Sequence, residues 1–271
     1  MAHGLIHGDD PGDDPGDDPP GDPIRPDSGG EPADDTATEP EPTVWAFLDV
    51  GTETACALAT EGYATCWGWD GHGEVSTVPT THFQDVAVGR DHVCGLGDDG
   101  AVTCWGSSEY GADTPPAGSY ADIVSGGYFS CAVTSANDVT CWGSDETGQL
   151  HPPEGPITGL TTSFKAVCGL NIDGIASCWG AESYGKTEPP EEVFLTVELT
   201  EFTGCGLRAS DGGVTCWGSE EYVPNAPTST GYTSLSCGVE NCCALGTAGA
   251  MTCWGSDTNS QVSSAPSSGV W

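Results

Sequence analysis

The triplet Cys-Trp-Gly occurs six times, with its tryptophans at Trp67, Trp105, Trp142, Trp179, Trp217 and Trp254, spaced 38, 37, 37, 38 and 37 residues apart. A fixed period of this length is the mark of one supersecondary unit repeated along the chain, because such a unit cannot bury its apolar surface alone and must stack on its neighbours.

The second copy shows what the unit is. Residues 94–106 read CGLGDDGAVTCWG, and folding them about Asp99 sets Cys94 opposite Cys104 and Leu96 opposite Val102. Asp98, Asp99 and Gly100 then form a three-residue loop, and a cystine crosses the hairpin. That loop needs its third residue in the left-handed region, which Gly and Asn tolerate. The third loop residues are Gly62, Gly100, Asn137, Gly174 and Gly249, and the fifth copy absorbs one extra residue in its loop at 209–212.

Cys94, Leu96, Val102 and Cys104 share one face of this hairpin, and Trp105 points to the other. A strand pair that is apolar on both sides needs a neighbour on both sides, which radially packed blades provide and a half-exposed sheet does not. Short apolar strands precede each hairpin, at 46–50, 83–88, 120–124, 157–160, 194–199 and 232–235, and prolines separate the units. The expected fold is all-β: a six-bladed β-propeller of three-stranded repeats over residues 44–271, with one cystine per blade.

Residues 1–43 form a separate region, an acidic tail or linker rich in Pro, Asp and Gly with almost no large apolar side chain. Such a segment buries too little to offset its ordering entropy and is expected to act as an extended tether. Its aspartates can gather Ca²⁺ weakly, but no D-x-D-x-D-G loop with a distal Glu is present, and no cofactor is expected.

Five Lys and Arg stand against 41 Asp and Glu, a formal charge of −36. That balance argues against nucleic acid and anionic membranes as partners. No stretch approaches the length needed for a transmembrane helix, and the opening MAHGLIHGDD has neither the basic region nor the apolar core of a signal peptide.

Fourteen cysteines at regular spacing point to an oxidising compartment, hence an extracellular or cell-surface location. The expected pairs are Cys56 with Cys66, Cys94 with Cys104, Cys131 with Cys141, Cys168 with Cys178, Cys205 with Cys216 and Cys243 with Cys253. A seventh pair, Cys237 with Cys242, flanks a Gly-Val-Glu-Asn bend. Zinc is the competing use of cysteine, but zinc knuckles want short C-x-x-C spacings converging from two places, so no metal site is expected.

The pattern V-x-x-G-x-x-H-x-C-x-L followed by D-G-x-V-x-C-W-G resembles the repeat of the regulator of chromosome condensation family. Val86, Gly89, His92, Cys94, Leu96, Gly100, Val102, Cys104, Trp105 and Gly106 carry it in the second unit, and Gly148, Gln149 and Leu150 supply a G-Q-L tail in the third. The short unit resembles the secreted bacterial branch, which includes the β-lactamase inhibitor propeller, more than the longer nuclear repeats. The resemblance implies a propeller, seven-bladed in most members where this chain shows six units. Nuclear members exchange nucleotide on a small GTPase and touch chromatin, a role at odds with the acidity and cysteine content here.

Function in a repeat protein sits where equivalent positions differ. The six signature tryptophans fill inter-blade space on this view, although indoles also serve as ligand platforms. Around the bend between first and second strands, Tyr128, Phe129, Phe164 and Phe202 form an expected aromatic patch beside Arg90 and Lys165, the residue types that anchor protein interfaces. A second candidate face comprises Tyr110, Tyr184 and Tyr222, five residues after their tryptophans, with Trp69; these rings suit sugars or peptides or else cover blade edges. There is no G-x-S-x-G elbow, H-E-x-x-H or phosphate loop, so no catalytic residue and no enzyme is expected.

The sequence therefore reads as a non-catalytic extracellular module that recognises a protein partner through a propeller face. The alternatives are a self-associating structural subunit of an extracellular assembly or filament, and a glycan-binding propeller.

Overall fold

The structure, a computed structural model, describes residues 43–266 except 220, 222–224 and 248. The acidic region, and with it the tether and Ca²⁺ expectations, lies outside the described residues apart from Thr43.

Six three-stranded antiparallel sheets follow one another, each a meander of consecutive strands. They comprise β1 (Trp45–Val50), β2 (Thr54–Ala59) and β3 (Ala64–Gly68); β4 (Phe83–Val88), β5 (His92–Gly97) and β6 (Val102–Gly106); β7 (Asp122–Ser125), β8 (Phe129–Val133) and β9 (Val139–Gly143); β10 (Ile157–Thr162), β11 (Ala166–Asn171) and β12 (Ala176–Gly180); β13 (Phe194–Leu199), β14 (Thr203–Arg208) and β15 (Val214–Gly218); and β16 (Tyr232–Cys237), β17 (Asn241–Gly246) and β18 (Met251–Gly255). The third inner strand starts at Asp122 rather than Tyr120. Tyr120 is held ahead of it, its amide bonded to Gly100 O and its hydroxyl donating to Pro116 O.

In the second hairpin Cys94 faces Cys104 and Leu96 faces Val102. Cystines join Cys56 to Cys66, Cys94 to Cys104, Cys131 to Cys141, Cys168 to Cys178, Cys205 to Cys216, Cys237 to Cys242 and Cys243 to Cys253. No described cysteine is free. The third turn residues Gly62, Gly100, Asn137, Gly174 and Gly249, with Gly212 in the longer loop, have φ of 85°, 80°, 66°, 76°, 75° and 64°. The carbonyls of all these but Gly249 accept a hydrogen bond from the next unit: Phe83 N to Gly62 O at 2.8 Å, Tyr120 N to Gly100 O at 2.9 Å, Ile157 N to Asn137 O at 2.9 Å, and Phe194 N to Gly174 O and Tyr232 N to Gly212 O at 2.8 Å.

Consecutive sheets meet by one rule. The cystine face of a sheet, as in Cys56, Leu58 and Cys66, packs on the tryptophan face of the next, as in Phe83, Val86, Val88, Val93 and Trp105. The same pairing joins the second sheet to the third, the third to the fourth, the fourth to the fifth and the fifth to the sixth. The indoles add polar stitches across the joints, donating from Trp105 to Glu74 O at 2.9 Å, from Trp142 to Ala112 O and from Trp179 to Gln149 O at 3.0 Å, and from Trp217 to Lys186 O at 2.8 Å. A buried indole N–H needs such an acceptor.

The inner strands carry half-buried acids, among them Asp49, whose carboxylate accepts a bond from Val88 N at 2.7 Å, and Glu198, 3.3 Å from Thr161 Oγ1. Desolvation raises the Asp85 carboxyl to about 6 and that of Glu198 to about 7. Burial in the second joint lowers His92 to about 4. A raised carboxyl stabilises the fold fully below its ordinary pKa and loses that contribution as pH rises through the folded value, whereas a lowered imidazole acts in the opposite sense. Glu198 should therefore make stability fall between about pH 4.5 and 7, with Asp85 adding to the decline below about 6 and His92 opposing it between about 4 and 6.5. In thermal melts across this range, Glu198→Gln is expected to flatten the decline by on the order of 2 kcal/mol. A pH profile unchanged by the substitution would count against a buried, titrating Glu198.

Candidate interaction face

In a three-stranded meander the bend after the first strand and the segment after the third leave the sheet at the same end. Loops at 89–91, 126–128, 163–165 and 200–202 thus share one rim with the stretches that follow each Cys-Trp-Gly. Backbone bonds tie these loops together: Arg90 N reaches Gly126 O at 3.2 Å, Gly127 N reaches Phe164 O at 3.0 Å, and Glu201 N reaches Val239 O at 2.9 Å. Gly127 is required at its position, because a Cβ there would lie 2.6 Å from Phe164 O and 2.7 Å from its ring.

On this frame the Arg90 guanidinium sits 5.5 Å from the centre of the Tyr128 ring and 5.4 Å from that of Phe164. Tyr128 meets Phe164 edge-on at 5.6 Å and Tyr110 at 5.7 Å. Desolvation raises the Tyr128 phenol above its ordinary pKa, against the pull of Arg90, so it stays neutral and donates. Asp91 lies 3.8 Å from the guanidinium. One loop further round, Lys165 Nζ donates to Glu146 at 2.8 Å, a bond that raises the lysine and lowers the glutamate. Exposed cation–π contacts of this kind contribute about 0.5–1 kcal/mol each and hold the guanidinium in place.

The two aromatic sets expected as separate faces are one face. Tyr110 meets Tyr128 at a tilt of 54°, and Tyr184 meets Phe202 edge-on at 5.4 Å. Phe129 does not belong to it. As the first residue of β8 it occupies the position of His92 in β5, and it is fully buried in the joint between the third and fourth sheets. Trp69 is exposed and pairs with no aromatic ring of the described set, and Tyr222 lies outside the described residues. Lys186, unremarked in the sequence, is fully buried beneath the rim. Its Nζ donates to Ser163 Oγ at 3.1 Å and Glu201 O at 2.9 Å, beside Phe164 and Phe202, and burial lowers its pKa.

Tyr110 and Tyr184 share a further property: their φ values are 56° and 64°, within short 3-10 turns at Glu109–Gly111 and Ser183–Gly185. A bulky residue in the left-handed region is strained by on the order of 1 kcal/mol, and such strain gathers at binding sites. Here it aims two exposed rings along the rim. Tyr110→Asn, which suits that backbone, is expected to leave stability equal or higher by about 1 kcal/mol, raising the melting temperature by about 2–4 °C. A clear drop in calorimetry would show that the ring is a structural brace.

The repeat of the regulator of chromosome condensation (RCC1) family is matched at residues 83–112 and 120–149. The chain is similar to the entire ectodomain of the receptor kinase CR4 from Physcomitrella patens, with a TM-score of 0.67 and 27% identity over 79% of this chain and 62% of that one. It therefore spans less than two thirds of that ectodomain. The CRINKLY WD40 ectodomain of the receptor kinase ACR4 from Arabidopsis thaliana gives 0.64 and 27% identity over 77% and 78%. Prp20p from Saccharomyces cerevisiae, described with its binding to Gsp1p and histones, shares the fold at a TM-score of 0.66 and 15% identity over 78% and 72%. No curated protein matches the sequence. With six three-stranded sheets in its described residues joined face to face, the chain is a β-propeller that carries the regulator of chromosome condensation repeat at residues 83–112 and 120–149.

Proposed function

We propose that this propeller is a non-catalytic recognition module that binds a protein partner outside the cell through the rim formed by Arg90, Tyr110, Tyr128 and Phe164. The observation that carries the reading is the guanidinium held over two touching aromatic rings, 5.5 and 5.4 Å from their centres, on loops that are themselves bonded together. Aromatic and Arg side chains that are already ordered lose little entropy on binding and are the usual anchors of interfaces. The cystine in every sheet and the likeness to two receptor-kinase ectodomains support an extracellular setting. The yeast relative Prp20 has been crystallised with Kap60, which supports a protein as the kind of ligand such a propeller takes.

The test is retention of surface and secreted proteins of the source organism on the immobilised full chain. Tyr128→Ala and Phe164→Ala are each expected to weaken the retained partner by about 1–2 kcal/mol, roughly tenfold or more, and Arg90→Ser should act in the same direction. Equal retention by native chain and variants, or capture of nothing but further copies of this chain, would displace the rim from this role and favour self-assembly.

A further inference from the structure

We propose that the space between the first and sixth sheets is a docking slot for a single β unit, apolar on both faces, supplied by a partner polypeptide. Among the described residues six sheets in a row make five joints, each a cystine face laid on a tryptophan face. One face of each kind is left over. By strand register Trp45, Leu48, Val50 and Trp67 hold in the first sheet the places of Phe83, Val86, Val88 and Trp105 in the second. They are 50%, 58%, 64% and 48% exposed, where their counterparts are 3%, 1%, 5% and 6% exposed. At the other end, Ser234, Ser236, Cys243, Ala244, Leu245 and Met251 line a groove of ≈ 340 Å³. Cys243 and Leu245 correspond there to Cys94 and Leu96, which are fully buried in the second joint.

The two walls do not pack against each other as consecutive sheets do. Among the described residues the Trp67 indole has no counterpart of the bonds that Trp105, Trp142, Trp179 and Trp217 make to the preceding unit. The chemistry of an occupant follows from the five joints already built. It must offer aromatic and β-branched side chains to the Leu245 groove and a cystine or small aliphatic face to Trp45 and Trp67. No single sheet of a second copy meets that requirement, because each has at least one face already covered and seats on one wall only; a second copy covers both walls only by bringing its own first and sixth sheets to them together. An element with both faces free fills the slot, and exposed apolar surface of this extent is the signature of an interaction site.

The experiment uses the full chain and, as the probe, a cystine-closed synthetic peptide copying residues 83–106, which carries both kinds of face. Oxidative footprinting reads Trp45, Trp67 and Met251. All three should label rapidly in the chain alone, and labelling should fall about tenfold once the peptide exceeds its dissociation constant about tenfold. Leu48→Asp and Leu245→Asp should each abolish this protection, as should a probe with Phe83 and Trp105 replaced by Ser, while the cystine pattern of the chain stays intact. Three results overturn the proposal: slow labelling in the lone chain at every concentration, which means that the walls close on each other; protection that grows with chain concentration without peptide, which means that a second copy covers them; and labelling unchanged at saturating peptide.

Discussion

Every joint in this propeller is the same contact, a disulfide-bearing face laid on an indole-bearing one. Strands of four to six residues bury too little to hold a sheet by themselves. The cystine makes one side of each hairpin compact and rigid, and the tryptophan makes the other side large, so that small meets large at each interface. The loops at the rim inherit their positions from these joints. Arg90 lies over both Tyr128 and Phe164 because three successive sheets are held at a fixed separation.

The electrostatics of the rim are set against the rest of the chain. With 41 acids and five Lys and Arg, the far field is strongly negative and favours the approach of cationic partners. Of the cations in the described residues, Lys186 is buried and Arg208 is tied to Asp211 in a hairpin turn at the opposite end, which leaves Arg90 and Lys165 on the rim. Each of these has an acid within reach, Asp91 and Glu146. The two cations of the rim are thus each paired with an acid, which leaves its aromatic rings as the apolar contacts it offers.

The hairpins were legible in the sequence because everything that decides them is local: a turn residue that tolerates positive φ, cysteines at a symmetric distance from it, and alternation of apolar positions. Inter-unit facts were harder to read. The merging of Tyr110 with Tyr128 follows from strand direction in a meander, which the spacing contains but which needs three strands to be drawn at once. Phe129 shows the cost of an error of one residue, since its neighbour Tyr128 is on the rim while it is in the core. Lys186 had no sequence signal. A lysine is ordinarily surface-seeking, and only the carbonyl of Glu201 and the hydroxyl of Ser163 converging on one point make its burial tolerable.

The hydrogen bond that ties each of the first five hairpin turns to the next unit is always donated back along the chain, from Phe83 to Gly62, Tyr120 to Gly100, Ile157 to Asn137, Phe194 to Gly174 and Tyr232 to Gly212. Its acceptor is a backbone carbonyl and its donor a backbone amide, so the coupling asks for no particular side chain at the donating end, where Phe, Tyr and Ile all occur. The units are therefore interchangeable parts with a uniform fitting. A gene that duplicates, deletes or shuffles whole units keeps every fitting matched, and the number of blades can drift in evolution while the rim residues diverge independently of the scaffold that carries them.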